Sequence, residues 1–214
     1  MVSDILIRKF CDADRGAIRR IACETAFAGL ARNAVFDDDE LLADILTLYY
    51  TDYEPDSCFV AACGKVTVGY VVGTKDARAM RRIFYGKIIS QAVARSLARG
   101  SLLKRNNRGY ILQVIAGYLR GEFYVPDFTK DYPATLHINI DEGFRGQKVG
   151  TLLIERYLGF FREEKIPGFH CSVISEKAKI FFEKFGCMVL FKNAYSHLRY
   201  LEKEINHYIL GKRL

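Results

Sequence analysis

The sequence lacks any long apolar run and any basic, apolar leader at its start. Its longest nearly apolar run covers residues 110–119, far short of the roughly 20 residues that a membrane-spanning helix needs. The opening residues, MVSDILIRKFCDAD, do not have the pattern of a signal peptide. These absences argue against a membrane partner and against export, so we expect a cytoplasmic protein.

Paired cysteines and nucleotide-binding motifs are also absent. The six cysteines form no CxxC pair and no metal-ligand spacing with the four histidines, so we expect free thiols in a reducing compartment and no bound metal. Neither GxxxxGK[ST] nor GxGxxG occurs, which excludes the common phosphate loops of nucleotide-binding proteins.

Positive charge is concentrated in one segment of the chain. Half of the 214 residues are apolar and 27% are charged, which is typical of a globular protein, and we expect one domain over residues 1–214. Residues 76–130 hold eleven Lys or Arg against three acidic residues, a net charge of +8, whereas the whole chain carries +7 and the rest therefore −1. We interpret residues 76–130 as a basic insertion within this domain.

The hydrophobic pattern alternates between strand-like and helix-like stretches, which indicates an α/β fold. Strands are predicted at residues 5–10, 58–62, 66–74, 135–140, 169–174, 187–191 and 197–204. Helices are predicted at residues 12–29, after the acidic cluster 37–40, and at 148–165 and 176–185. The second helix has a stripe that we expect to face the core, formed by Leu42, Ile45, Leu46, Tyr49 and Tyr50. The insertion is predicted to form two helices, 77–99 and 110–120, around a polar loop at 104–109.

The stretch INIDEGFRGQKVGTLLIERYL, residues 138–158, passes from a strand into a helix through a glycine-containing, basic turn. The free N–H groups and the dipole of a helix N-terminus favour an anion, and glycine lets a phosphate approach the backbone. From these residues alone, an ordinary strand-to-helix turn and a phosphate-binding turn are equally good interpretations.

Two motifs in this part of the chain resemble those of the GNAT superfamily of N-acetyltransferases. RGQKVG, residues 145–150, resembles the [Q/R]-x-x-G-x-[G/A] loop, with Lys148 where a glycine is usual. SEKAKIFFEKFGC, residues 175–187, resembles N-x-x-A-x-x-x-Y-E-K-x-G-F, with Ser175 for asparagine and Phe182 for tyrosine. The strand YPATLHI, residues 132–138, resembles that of some bacterial members. The resemblance implies a mixed central sheet flanked by helices, here with a basic helical insertion between the third and fourth strands.

The resemblance also implies a co-substrate, acetyl-CoA, and the residues that contact it. In the family the fourth and fifth strands separate, and pantetheine lies between them; here it would lie beside Ile138, Asn139 and Ile140. The pyrophosphate would be bound by the main-chain amides of Arg145, Gly146, Gln147, Lys148, Val149, Gly150 and Thr151. Ser175 and Phe182 would also contact acetyl-CoA, and a backbone N–H near Ile138 would polarise the thioester carbonyl.

Proton transfer is the less defined part of this expected site. A primary amine is protonated at neutral pH and must lose a proton before it attacks the thioester. His137 and His170 are expected to line the same cleft and are the candidate bases, although either could instead be a structural histidine. Phe182 cannot protonate the leaving thiolate. The proton could instead come from water or from another hydroxyl, or the thiolate could leave without a proton. Cys171 fits a small core residue better than an acetyl-carrying nucleophile.

Three function classes follow from these observations. The first is an N-acetyltransferase that moves an acetyl group to a primary amine of a small molecule or protein in a ternary complex. The second is a CoA- or ligand-binding module without turnover, and the third is a nucleic-acid-binding protein that uses the basic insertion, although no nucleic-acid motif is present. A helical wheel places five arginines of the insertion on one side: Arg78, Arg81, Arg82, Arg95 and Arg99. This side suits a solvated face, a homodimer contact or a surface that selects an acidic acceptor.

Overall fold

A computed structural model of the chain describes residues 5–27, 35–195 and 205–214. These residues form one seven-stranded sheet in the order β1-β2-β3-β4-β5-β7-β6. Strands β4 and β5 are parallel and every other pair of neighbours is antiparallel. The strands are β1 Ile5–Lys9, β2 Cys58–Cys63, β3 Val66–Thr74, β4 Ala134–Ile140, β5 Gly168–Val173, β6 Met188–Tyr195 and β7 Ile205–Arg213.

Helices cover both faces of this sheet, which confirms the predicted α/β architecture. The helices are α1 Arg15–Thr25, α2 Asp39–Tyr53, α3 Ala77–Ile83, α4 Ile89–Ala98, α5 Arg105–Leu119, α6 Val149–Glu163 and α7 Glu176–Glu183. A π-helical turn, Phe84–Ile88, joins α3 to α4. Within the described ranges, no helix has the length and apolar character that would let it cross a membrane.

The alternation of side chains along β4 assigns its residues to two different faces of the sheet. Leu136 and Ile138 belong to the core beneath α6, with Leu153, Phe161 and other buried side chains. His137 points to the opposite face, where its ring lies 6.0 Å from that of Tyr70. That second face is covered by α1 and carries the buried residues Ile18, Ile21, Tyr70 and Val72.

Helix α5 includes most of a stretch that the sequence predicted as a loop. The polar residues 104–109 suggested an irregular connection, but α5 begins at Arg105 and Lys104 is its N-cap residue. The reason is tertiary: the buried side chain of Asn107 donates to the carbonyl oxygens of Asp37 and Ser101 and accepts from the Asp37 N–H. These three hydrogen bonds give partners to both the oxygen and the nitrogen of the Asn107 side-chain amide, so this polar residue can be buried in α5.

The predicted core stripe of α2 is also only partly correct. Tyr49 is buried, whereas Leu42, Ile45, Leu46 and Tyr50 are half-buried. Helix α2 is packed from two sides, because α1 lies against it on one side and α4 on the other. An acidic side chain, Asp44, is therefore buried between Arg19 of α1 and Arg95 of α4, at 2.7 Å from each.

Two further predictions concern chain segments at the edge of what the structure describes. Helix α1 ends at Thr25, earlier than the predicted end at residue 29, and residues 28–34 lie outside the described ranges. The predicted strand 197–204 also lies outside them. The strand that follows, β7, was not predicted.

The basic segment that we interpret as an insertion, residues 76–130, is attached to α2 through a buried carboxylate. Asp38 caps α2 by accepting from the Leu41 N–H at 3.0 Å. It also accepts from the Ser96 and Ser101 hydroxyls and forms an ion pair with Arg99 at 3.0 Å. Burial alone would raise the pKa of Asp38, but the hydrogen bonds outweigh burial and lower its pKa to about 2.

The five arginines therefore do not form one free basic face. Arg95 and Arg99 bind carboxylates of α2, and Arg78 pairs with Asp127 at 3.1 Å. Arg81 and Arg82 are exposed. The helical wheel could not show this, because ion pairs between distant segments depend on how the insertion packs.

We expect Asp38→Ala to lower the free energy of unfolding at pH 7 by about 3 kcal/mol, because it removes a helix cap and leaves Arg99 and two buried hydroxyls without their acceptor. Because the pKa of Asp38 is lowered in the folded protein, its carboxylate stabilises the fold above about pH 4, and this stabilisation is lost as the pH falls towards 2. The loss lowers the free energy of unfolding of the wild type by about 2 kcal/mol, and Asp38→Ala should not show it. Urea unfolding at several pH values measures both effects.

The matched control for this prediction is Asp37→Ala. The neighbouring Asp37 side chain is half exposed and forms one ion pair, with Lys104. Its loss should cost less than about 1 kcal/mol. Equal effects of the two substitutions would contradict the role of Asp38 as the anchor of the insertion.

Candidate functional site

Strands β4 and β5 separate soon after they begin. They are paired only at Ala134 with Phe169 and at Thr135 with His170. Beyond these positions a cavity of about 690 Å³ opens between the two strands, lined by residues 136–140 of β4 and residues 171–174 at the end of β5. Its walls are completed by the start of α6 and α7 on one face of the sheet and by residues of α1 and α2 on the other.

The α6 end of the cavity is formed by a turn with unusual backbone conformations. Gly146 has φ +81° and Lys148, the N-cap residue of α6, has φ +63°. A Cβ atom on Gly150 would lie 3.0 Å from Ile140 Cδ1 and 3.4 Å from Phe181, so glycine lets the helix approach the strand. The first N–H groups of α6 have no acceptor within the helix and stand at the cavity wall. This turn can hold an anion.

Most of the predicted cofactor-binding residues line this one cavity. They are Ile138, Asn139, Ile140, Arg145, Gly146, Lys148, Val149, Gly150, Thr151, Ser175 and Phe182. Gln147 does not line it, because its side chain turns back and donates to the Gly143 carbonyl at 2.9 Å. Ser175 caps α7 by accepting from the Ala178 N–H at 3.1 Å.

His137 lines the cavity in a fixed hydrogen-bonded arrangement. Asn139 donates through its side-chain amide to His137 Nε2 and to the Tyr70 hydroxyl, both at 2.9 Å. Since Nε2 accepts, the proton of the neutral ring is on Nδ1. Burial lowers the pKa of His137 to about 4, so the ring is neutral at pH 7.

His170 is placed differently, and the expectation that both histidines line the cleft does not hold. It lies where β4 and β5 are still paired, is buried, and does not line the cavity. Its Nδ1 donates to the Tyr132 carbonyl oxygen at 2.7 Å. Burial lowers the pKa of His170, and the charge of Arg81 lowers it further against the opposing effect of the Tyr132 hydrogen bond.

A third histidine, which the sequence analysis missed, reaches the cavity through a serine. The Ser172 hydroxyl oxygen lies 2.7 Å from His207 Nε2, and His207 Nδ1 lies 2.7 Å from Asn193 Oδ1. Ser172 lines the cavity, and His207 is 1% exposed. His207 was missed because β7 was not predicted. The sequence did contain a signal for this strand. Ile205, His207 and Ile209 alternate with Tyr208 and Leu210, two residues that belong to the core.

Two further side chains limit the chemistry of the cavity. Phe182 is buried at its wall and has no group that could donate a proton. Cys171 also lines it, but burial raises the pKa of its thiol well above the ordinary value, so it is not a thiolate at neutral pH. Proton transfer in this cavity is therefore left to its hydroxyl and imidazole groups.

The chain matches no protein-family model and no curated protein sequence. Many solved structures are similar to it. One is SsHAT, 23% identical, with a TM-score of 0.72 over 98% of both chains. Another is the polyamine N-acetyltransferase of Drosophila melanogaster, 16% identical, with a TM-score of 0.62 over 99% of this chain and 100% of that one. A third is yncA from Salmonella typhimurium with its cofactor acetyl-CoA, 12% identical, with a TM-score of 0.60 over 98% and 94%.

These similarities extend over nearly the whole chain. At such low identities they establish the architecture of the molecule and do not extend to its substrates. The chain has the fold of the GNAT acetyltransferases, as its two motifs predicted.

Proposed function

We propose that the protein is an acetyl-CoA-dependent N-acetyltransferase that transfers the acetyl group directly to a primary amine. The observation that carries this proposal is the cavity between the separated strands. It connects an anion-binding turn on one face of the sheet with a polar wall on the other. A thioester between these two ends would be within reach of an amine that enters beside α1 and α2.

The residues at the α6 end fit the phosphate portion of acetyl-CoA. The turn offers main-chain N–H groups and the positive end of a helix dipole, and Arg145 and Lys148 add positive charge at the cavity wall. Along β4, residues 138–140 pair with β3 on one edge only, so their remaining peptide groups face the gap. A pantetheine chain carries amides that could hydrogen-bond to such an edge. When bound, acetyl-CoA supplies the thioester carbon that the amine attacks.

The other face of the gap presents the groups that can handle protons. His137, Asn139 and Ser172 line it there, together with Thr25 and Leu46 from the covering helices. His137 is held neutral by burial and can meet the acceptor only as a neutral ring. His170 lies outside the cavity, so we do not place it against the acceptor.

Acetyl-CoA should raise the melting temperature of the wild-type protein by mass action, and a panel of primary amines should then produce CoA release. Gly146→Val should remove the acetyl-CoA-induced shift, because a β-branched side chain would stand on the open face of the turn. Calorimetry and a thiol assay measure the two steps. Binding without release for every amine would indicate a CoA-binding module, and no binding by folded protein would refute the proposal.

Gly64→Val provides the control for backbone strain. Gly64 lies in the β2–β3 hairpin with φ +59°, and like Gly146 it has no neighbour within 4 Å of an added Cβ. Both substitutions should therefore lower the melting temperature by similar amounts. Only Gly146→Val should affect acetyl-CoA.

Lys148→Gly should separate conformational strain from charge at the anion-binding turn. A lysine at positive φ is strained, and glycine removes this strain but has greater conformational freedom in the unfolded chain. The net result should be an increase of about 0.5–1 kcal/mol in the free energy of unfolding. The same substitution should weaken acetyl-CoA binding several-fold, more at low salt, because it removes a positive charge. Lys165→Gly, at φ +55° beyond the far end of α6, should give the stability gain alone. Unchanged affinity in Lys148→Gly would exclude Lys148 from phosphate binding.

The low pKa of His137 predicts a specific pH dependence of stability. The folded value of about 4 lies below the unfolded value of about 6.5, so protonation favours the unfolded chain and stability falls as the pH drops from 6.5 towards 4. His137→Gln should remove about 2–3 kcal/mol of that loss, measured as the difference between the two proteins in urea unfolding at pH 7 and pH 4.5. Parallel losses in both proteins would contradict the lowered pKa of His137.

A further inference from the structure

The hydrogen-bond chain from Ser172 through His207 to Asn193 has a defined direction. Asn193 donates through Nδ2 to the Glu122 carbonyl oxygen at 2.7 Å, which leaves its Oδ1 as an acceptor towards His207 Nδ1. Nδ1 therefore carries a proton, and in the neutral ring Nε2 has the lone pair that accepts from the Ser172 hydroxyl. A serine hydroxyl that faces a cavity and donates to a neutral imidazole is the arrangement of an activated proton donor and acceptor.

The strand register holds the three residues in this order. His207 pairs directly with Asn193 between β6 and β7. Ser172 pairs with Ile209 between β5 and β7, so it lies diagonally across from His207. The His207 ring is stacked on Tyr195, with centroids 4.3 Å apart and planes 16° apart, and this contact fixes its plane. Strand pairing thus holds all three residues of the hydrogen-bond chain.

The position of Ser172 brings the end of this chain to the gap between β4 and β5. The last β4–β5 pair is Thr135 with His170, and two residues further along each strand are His137 and Ser172. Both side chains line the cavity, on the face of the sheet that α1 covers. Of the two groups, His137 already accepts a hydrogen bond at Nε2, whereas the Ser172 hydroxyl is exposed to the cavity.

We propose that Ser172 is a catalytic residue of the acetyl transfer and that His207, held by Asn193, is a positioning residue that exchanges a proton through it; this inference rests on the proposed function. The acceptor nitrogen forms the amide bond and gives a proton to Ser172 Oγ, while the hydroxyl proton of Ser172 moves to His207 Nε2. The carbon–sulphur bond of the thioester breaks, and the proton returns through the same hydroxyl to the departing sulphur. Counted from the neutral amine, no proton is gained or lost overall; an acceptor that arrives as the ammonium ion first gives one proton to solvent.

The imidazolium formed in this step would keep both of its hydrogen bonds. Its Nδ1–H donates to Asn193 Oδ1, and its new Nε2–H donates to Ser172 Oγ, so neither charged N–H loses its acceptor. The same hydroxyl takes the role that Phe182 cannot perform at the cavity wall. One relay therefore serves as base for the amine and as acid for the thiolate.

The test uses Ser172 first, because it is exposed and its replacement does not threaten the fold. We expect Ser172→Ala to lower kcat about 10²-fold or more and to leave the acetyl-CoA affinity within about 2-fold. Ser172→Thr keeps the hydroxyl and should recover most of the activity. Ser90→Ala, at an exposed serine of α4 whose hydroxyl donates to the Lys87 carbonyl, should match the wild type.

Two measurements distinguish a relay from a structural hydrogen bond. Asn193→Asp places a carboxylate beside His207 Nδ1, which stabilises the imidazolium, so the acidic limb of kcat/KM should move to higher pH by about one unit or more. Nitrogen-15 NMR of the ligand-free protein should show His207 protonated at Nδ1, with a shift of the Nε2 resonance in Ser172→Ala. Both signals are independent of the melting temperature.

The outcomes separate this inference from the function on which it rests. If the wild type releases CoA and Ser172→Ala keeps kcat within about 3-fold, with the pH limb unmoved in Asn193→Asp, the relay is overturned and the acetyltransferase stands. If the wild type binds acetyl-CoA and releases no CoA with any amine, both are overturned. A His207 ring protonated at Nε2 in the ligand-free protein would also overturn the relay.

Discussion

The separation of β4 from β5 is the constraint on which the rest of the molecule depends. A parallel pair that continued past Thr135 and His170 would satisfy the peptide groups of both strands and leave no cavity. Because the strands part, each has one edge without a partner strand at its end. Each strand keeps a partner on its other edge, because β3 pairs with β4 and β7 pairs with β5. The gap is thus a built part of the sheet, and a ligand with its own amides would complement it.

The two faces of the sheet divide the chemistry of the gap because side chains alternate along a strand. Ile138, Cys171 and Val173 point to the core beneath α6 and α7, where the anion-binding turn lies. His137, Asn139 and Ser172 point to the opposite face. In the proposed function, the binding of an anionic carrier and the handling of protons would therefore occur on opposite faces of the sheet. Neither group of residues could perform its part from the other face.

Three histidines of the described chain illustrate how environment determines what the same side chain can do. His137 accepts a hydrogen bond from Asn139 at its only basic nitrogen and has a strongly lowered pKa. His170 is tied to the Tyr132 carbonyl below the gap. His207 is the most deeply buried of the three, but its Nε2 faces a hydroxyl that reaches the cavity. Connection to the cavity, rather than exposure of the ring, distinguishes the histidine that we assign to proton transfer.

Local signals in the sequence predicted the order of the strands and helices as far as β6 and the glycine-containing turn at residues 145–151, and about half of the residues along the cavity wall were expected there. The order of the elements follows from hydrophobic periodicity and the turn from glycine at a helix start, which neighbouring residues alone can specify. The residues along the cavity wall were expected only from the resemblance to the GNAT superfamily. Tertiary structure decided four other features. They are the start of α5, the ion pairs of Arg95 and Arg99, the position of His170 outside the cavity, and the contact of Ser172 with His207. Each joins residues that are far apart in the chain, 35 positions for Ser172 and His207. No pattern within a short window contains that information, because the register of β7 beside β5 exists only in the folded sheet.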